Sequence, residues 1–165
     1  MGGKAPQCSP QQARSKKHAV HALVERGGEV RAKHVADVTA KTLREALVTQ
    51  ASRKSTLNTD EALTYYWVGR EFAAHGSVNH AAHEYVSKDG KTTTNSAESF
   101  FAILKRKVYG THHAISEAHL HRYVAEAEFM FNNRIALDID DTERANNALK
   151  GIGGKRLTYR PVGQA

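Results

Sequence analysis

Cysteine is nearly absent. Cys8 is the only one in 165 residues, so no internal disulfide can form and a reducing compartment suits the chain; the thiol itself reads as incidental. Proline is scarce too, with three residues, and the early ones lie in a segment, Met1 to Lys17, that is rich in Gln and Ser and has no apolar period. That segment reads as a loop or tail. No run of about 18 apolar residues exists, so no membrane span is expected. The opening MGGKAPQCSPQQARSKKHAV lacks the apolar stretch of a secretory signal, and a cytoplasmic location is expected. Several chemistries lack their signatures. There is no G-x-S-x-G, no P-loop and no G-x-G-x-x-G, because Gly151-Ile152-Gly153-Gly154 follows a helix instead of opening one. Ten histidines invite a metal reading, but the close pairs His80/His83, His112/His113 and His119/His121 have no structural-zinc spacing, and HAAHE is not HExxH. They read as surface, polar-contact or phosphate-neighbouring residues.

What is present is positive charge and enough apolar content for one core. Net charge is +7, and 40% of residues are hydrophobic, so a single domain is the default. Lys and Arg in excess favour a polyanion, because contact with phosphates releases counterions.

Along the chain, His18–Glu25 and Glu29–Val35 are β-capable runs joined by Arg26-Gly27-Gly28, where two glycines permit the positive φ of a tight turn. Asp37-Val38-Thr39-Ala40 leads into a helix through about Ser52, with Thr42 and Glu45 as a possible capping pair. Ser55–Asn58 reads as a short strand delivering Thr59, Asp60 and Glu61. Glu61–Ala74 has helical spacing through Leu63, Tyr66, Trp67 and Phe72, with Gly76 as its stop. Ser77–His80 is a further strand and His83–Gly90 a polar connection. Ser116 and Glu117 start a long helix to about Asn133 with the core stripe Leu120, Tyr123, Val124, Ala127 and Phe131. A last helix runs from Asp141 to Leu149. The order predicts a mixed α/β layer with an α-rich C-terminal half.

The stretch Lys91–Gly110, KTTTNSAESFFAILKRKVYG, carries the candidate chemistry. Asn95 or Thr94 can cap its helix, and Glu98 can complete a capping box. Phe100, Ile103, Leu104 and Lys107 fall on one side; Asn95, Glu98, Ala102 and Lys105 fall on another. Glu98 and Lys105 are two turns apart, roughly 10 Å along the axis, so both can face one groove. A carboxylate near the positive end of a helix and an ammonium beyond it suit a metal ion beside a phosphate chain. Asp60 at a strand end and Glu98 on a later helix are how a two-metal nuclease or phosphoryl-transfer site is assembled, with hard oxygen ligands on Mg²⁺. The plain readings stand beside this: Glu98 as a cap, Asp60 as a loop residue, and Lys105-Arg106-Lys107 as a solvated helix end favoured by the dipole.

Thr94–Arg134, TNSAESFFAILKRKVYGTHHAISEAHLHRYVAEAEFMFNNR, resembles the C-terminal core of bacterial insertion-sequence transposases of the ISXO type, a DDE/N group with a ribonuclease H-like fold. The shared pattern is T-N-x-x-E-S-F-(F/W)-x-x-L-K-R, then G-T-(Y/H)-H-x-(V/I)-S, H-L-x-R-Y and F-x-F-N-N-R. Upstream, VERGGEVRAKHVADVTAKTL, STLNTDEALTYY and VNHAAHEYV are similar to the family's central segments, and GKRLTYRP to its usual ending, so the likeness runs from about Ala19 to Pro161.

The resemblance implies a ribonuclease H-like mixed sheet flanked by helices. It implies DNA strand cleavage and transfer at transposon ends, Mg²⁺ or Mn²⁺ as cofactor, and a possible homo-oligomer on DNA. Asp60 is then the second metal-binding acid and Glu98 the third, with Asn95 its rival; Lys105, flanked by Arg106 and Lys107, contacts DNA. The family's first catalytic Asp precedes a Gly-Gly-Lys that stands here as Gly2-Gly3-Lys4, so that acid and its strand are expected to lie before residue 1. The division expected is a leader at 1–17, a partial catalytic domain at 18–161 and a tail at 162–165. With two of three ligands the chain is expected to be inactive, since Asp37, Asp138, Asp140 and Asp141 offer no placed substitute. The alternatives are a catalytically silent basic DNA-binding remnant and a working nuclease with another ligand in place of the missing acid.

Overall fold

The computed structural model describes residues 18–79, 86–87, 90, 92–113 and 115–154. The expected leader and tail, and most of the polar connection at 83–90, lie outside them.

Strands β1 (Ala19–Val24) and β2 (Val30–Val35) form the expected antiparallel hairpin. Its turn closes with Glu25 N–H donating to the Glu29 carbonyl, and Gly27 adopts a φ of 71°, which glycine tolerates without cost. Helix α1 (Ala40–Gln50) buries Leu43 and Leu47. Its cap is Thr39, whose hydroxyl accepts from Thr42 N–H; Thr42 is therefore the capped residue and not the cap.

Strand β3 (Thr56–Asp60) extends two residues beyond the expected span, so Asp60 is its last residue. Helix α2 is only Thr64–Gly69, and the strand after it, β4, spans Ala74–Val78. The long helix from Glu61 to Ala74 is thus corrected. Of Leu63, Tyr66, Trp67 and Phe72, only Phe72 is buried; Val68 supplies the other core contact. Parallel pairing of β4 with β3 overrides helical spacing from Ala74 onward, and Gly76 sits inside β4 instead of ending a helix. A Cβ at Gly76 would stand 2.3 Å from Thr92 Oγ1, and one at Gly69 would stand 2.1 Å from His75 Nδ1. Both glycines serve close approach.

Helix α3 (Asn95–Arg106) buries Phe100 and Leu104 and continues as a π-helical segment, Lys107–His112. Helix α4 (Glu117–Asn132) buries Leu120, Val124, Ala127 and Phe131, the expected stripe with Tyr123 only half-buried. Helix α5 (Asp141–Lys150) is capped by Asp140.

The main core joins β2, α3 and α4 through Val30, Ala32, Phe100, Leu104, Val124 and Phe131; a second gathers Leu47, Leu57, Val68 and Phe72 between α1, β3 and α2. The chain is mixed α/β with its α-rich half C-terminal, as expected. Among the described residues, however, the strands form two separate two-stranded sheets, β1-β2 and β3-β4, not one continuous sheet.

The end of α4 fixes the hairpin. Asn132 Oδ1 accepts from Val30 N–H at 2.7 Å, Asn132 Nδ2 donates to the Val30 carbonyl at 2.8 Å, and Glu128 Oε2 accepts from Ala32 N–H at 2.9 Å. Arg134 donates to the carbonyls of Phe131 and Gly28 and lies over the Phe131 ring. Asn133 is buried, donating to Phe129 O and accepting from Asn147. The F-x-F-N-N-R signature is therefore a clamp on β2 and the hairpin turn.

Candidate functional site

Strand pairing dictates where a cavity opens. Because Glu25 and Glu29 form a hydrogen-bonded pair, the backbone groups of Leu23 and His21 also point at β2, and those of Val20, Ala22 and Val24 point away from it. The outward groups of β2, at Val30 and Ala32, are the ones taken by α4. The outward edge of β1 meets no strand among the described residues, and neither does the edge of β3 away from β4. Both open edges line one cavity of about 600 Å³, floored by Leu47, Phe72 and Phe101.

Asp60 and Glu98 both line this cavity. Strand alternation puts Thr56, Asn58 and Asp60 on the face opposite buried Leu57 and Thr59. Asp60 Oδ1 accepts from Ala62 N–H at 3.2 Å, the loop-type contact of an Asx turn. Asn58 Oδ1, two residues earlier, is buried and has no hydrogen-bond partner among the described residues. Buried carbonyl oxygens are normally paired, so this one is an exception among the described residues. The Tyr65 phenol also lines the cavity, and burial first, then the Asp60 carboxylate, push it above its ordinary pKa. Thr59 ties β3 to β4 through a 2.9 Å hydrogen bond to His75 Nε2; burial holds that imidazole below its ordinary value.

Glu98 lies in the first turn of α3. Thr94 is the N-cap, but its hydroxyl donates to Glu98 Oε1 at 2.8 Å instead of accepting from the backbone. Thr94 and Glu98 thus pair side chain to side chain, a departure from the expected box. Asn95 is exposed, its N–H donates to Thr93 Oγ1, and it is not among the residues lining the cavity. Lys105 and Arg106 are exposed in the last turn of α3, and the helix is unbroken from Glu98 to Lys105, which keeps those two on one face. Lys107 differs: it is half-buried and pairs with Glu126 of α4.

Two further acids carry no signal in the sequence. Glu25 and Glu29 flank the hairpin turn and line the same cavity, as do Arg26 and Arg31. A turn offers no periodicity, and only the approach of the hairpin to β3 gives these residues a shared space with Asp60. Asp60 and Glu98 share the lining with the Glu25 and Glu29 carboxylates and the His21 imidazole, and carboxylate oxygens are the ligand type that a hard divalent cation such as Mg²⁺ takes. No helix among the described residues is long and apolar enough to cross a membrane.

Residues 2–132 match the ISXO2-like transposase domain, well over half of the 165 residues. No curated protein matches the chain, and no solved structure does. The matched stretch holds both acids, the basic end of α3 and the whole of α4 down to Asn132. The chain belongs to the family of ISXO2-like transposase domains.

Proposed function

We propose that the cavity between β1 and β3 is a DNA strand cleavage and transfer site of ribonuclease H-like type, in which Asp60 and Glu98 hold Mg²⁺ or Mn²⁺. Membership of a transposase family makes DNA the substrate class. The observation that carries the assignment is that Asp60, at the end of β3, and Glu98, in the first turn of α3, line one cavity. The cation, when bound, supplies a Lewis acid for attack of water or a 3′-hydroxyl on a phosphodiester. Thr94 orients the Glu98 carboxylate through their 2.8 Å hydrogen bond. Lys105, two turns along the same face, holds the DNA phosphate beyond the reacting one, and Arg106 adds to the positive end. Glu98 is preferred over Asn95 because it lines the cavity and a carboxylate is the better Mg²⁺ ligand.

The test is cleavage and joining of labelled DNA by the purified chain with Mg²⁺ or Mn²⁺. A pair of carboxylates without a third acid is expected to give little or no turnover; any Mg²⁺-dependent product should be abolished by Asp60→Asn and by Glu98→Gln and retained by Asn95→Ala. Cleavage that survives Asp60→Asn would sink the assignment.

A second reading, DNA binding without cleavage, is favoured by one observation: among the described residues, the group of three side chains at metal-binding distance lies elsewhere, not at Asp60 and Glu98. Salt-dependent DNA retention with no Mg²⁺-dependent products would support it.

A further inference from the structure

Three side chains from distant parts of the chain meet on the far side of the hairpin. His18 precedes β1, His34 lies in β2, and Glu117 is the first residue of α4. One ligand atom of each lies within 4.8 Å of the other two. His18 Nδ1 is 3.6 Å from Glu117 Oε2, and the two imidazoles meet edge to face with centroids 6.0 Å apart.

The geometry points to a transition-metal site at His18, His34 and Glu117, which binds Zn²⁺ through two imidazole nitrogens and one carboxylate oxygen. Tetrahedral zinc with bonds of about 2.0–2.1 Å sets its ligand atoms roughly 3.4 Å apart. The present separations close to that value with shifts of about 1–1.5 Å, which exposed His18 and Glu117 can make by side-chain rotation. Half-buried His34 supplies the fixed member. Imidazole with carboxylate selects zinc and its neighbours over Mg²⁺. Three protein ligands leave a fourth position for water. The ion would join the end of the hairpin to the start of α4, opposite the clamp that Asn132 makes at the other end of that helix. Local histidine spacing gives no hint of the site, since the ligands stand at positions 18, 34 and 117.

The experiment is calorimetric titration of the metal-stripped full chain with Zn²⁺, paired with Co²⁺ absorption spectra and Zn²⁺-dependent shifts in the urea midpoint. One Zn²⁺ per chain and a tetrahedral Co²⁺ spectrum are expected. His18→Ala, His34→Ala and Glu117→Gln should each weaken Zn²⁺ binding at least about tenfold, since even changes to second-shell partners cost roughly 10- to 100-fold. His119→Ala, on the same helix as Glu117, should leave binding unchanged. Wild-type affinity in His18→Ala and Glu117→Gln, or an equal loss in His119→Ala, would overturn the site. His18 and Glu117 are exposed, so those variants test the site even where His34→Ala disturbs the fold.

Discussion

Replacing Asn132 with Ala removes two hydrogen bonds at one buried point. Its amide accepts from Val30 N–H at 2.7 Å and donates to the Val30 carbonyl at 2.8 Å, and Val30 is fully buried. Without the amide, the donor and the acceptor are both left unsatisfied, at about 1–3 kcal/mol each. Asn132 is itself half-buried, so water reaches part of the gap, and a loss of about 2–4 kcal/mol is expected. At this chain length that lowers Tm by roughly 4–16 °C. With a urea slope of about 2 kcal/mol/M, the midpoint falls by roughly 1–2 M while the slope stays constant. Asn132→Asp is the sharper control. It keeps the acceptor for Val30 N–H but sets an oxygen against the Val30 carbonyl, and should be as damaging as Ala. A midpoint for Asn132→Ala within about 0.3 M of wild type, or a wild-type midpoint for Asn132→Asp, would refute the clamp.

Other consequences can be measured alongside. Gly76→Ala places a Cβ 2.3 Å from Thr92 Oγ1, and Thr92 is buried, so chemical denaturation should show a loss of about 1–3 kcal/mol. Gly110→Ala meets nothing within 4 Å and should be neutral or stabilising by up to about 1 kcal/mol, since alanine loses less backbone entropy there. Lys105→Ala should weaken DNA binding and reduce the slope of log K against log salt by about 1; Lys107→Ala, already paired with Glu126, should change that slope less. Burial holds the His21 imidazole below its ordinary pKa of 6.5, so the unfolded chain takes up a proton that the folded one refuses. Its contribution to stability is complete above about pH 6.5 and is lost as pH falls through that value toward the folded one. Urea midpoints measured from pH 7 to 5 should therefore fall for wild type and fall less for His21→Gln.

The hairpin and α4 were legible because their signals are local. Gly27 supplies the turn, and Leu120, Val124, Ala127 and Phe131 repeat at helical spacing. Asp60 and Glu98 were legible as acids on a strand end and a helix start, although their shared cavity is a product of tertiary packing. The span Glu61–Ala74 misled because its apolar spacing fits a helix. What overrides it, the parallel ladder from Thr56↔Ala74 to Asp60↔Val78 and the close approach of Thr92 to Gly76, belongs to distant partners. Glu25 and Glu29 sit beside a turn that has no period to read. The meeting of His18, His34 and Glu117 is longer in range still, and pairwise histidine spacing is silent about it.

The clamp from α4 to the hairpin also sets a timetable. Val30 and Asn132 are 102 residues apart in sequence, so on the ribosome the hairpin is made long before the residues that secure its far edge. At about 5–20 residues per second, the wait is roughly 5–20 s, against microseconds for a hairpin to form. During that interval both edges of β1-β2 can pair with any strand nearby, including the same segment on a neighbouring nascent chain. Yield of soluble protein should therefore depend on how quickly translation reaches Phe131-Asn132-Asn133-Arg134, and slow codons between α1 and α4 should lower it more than slow codons placed after Arg134.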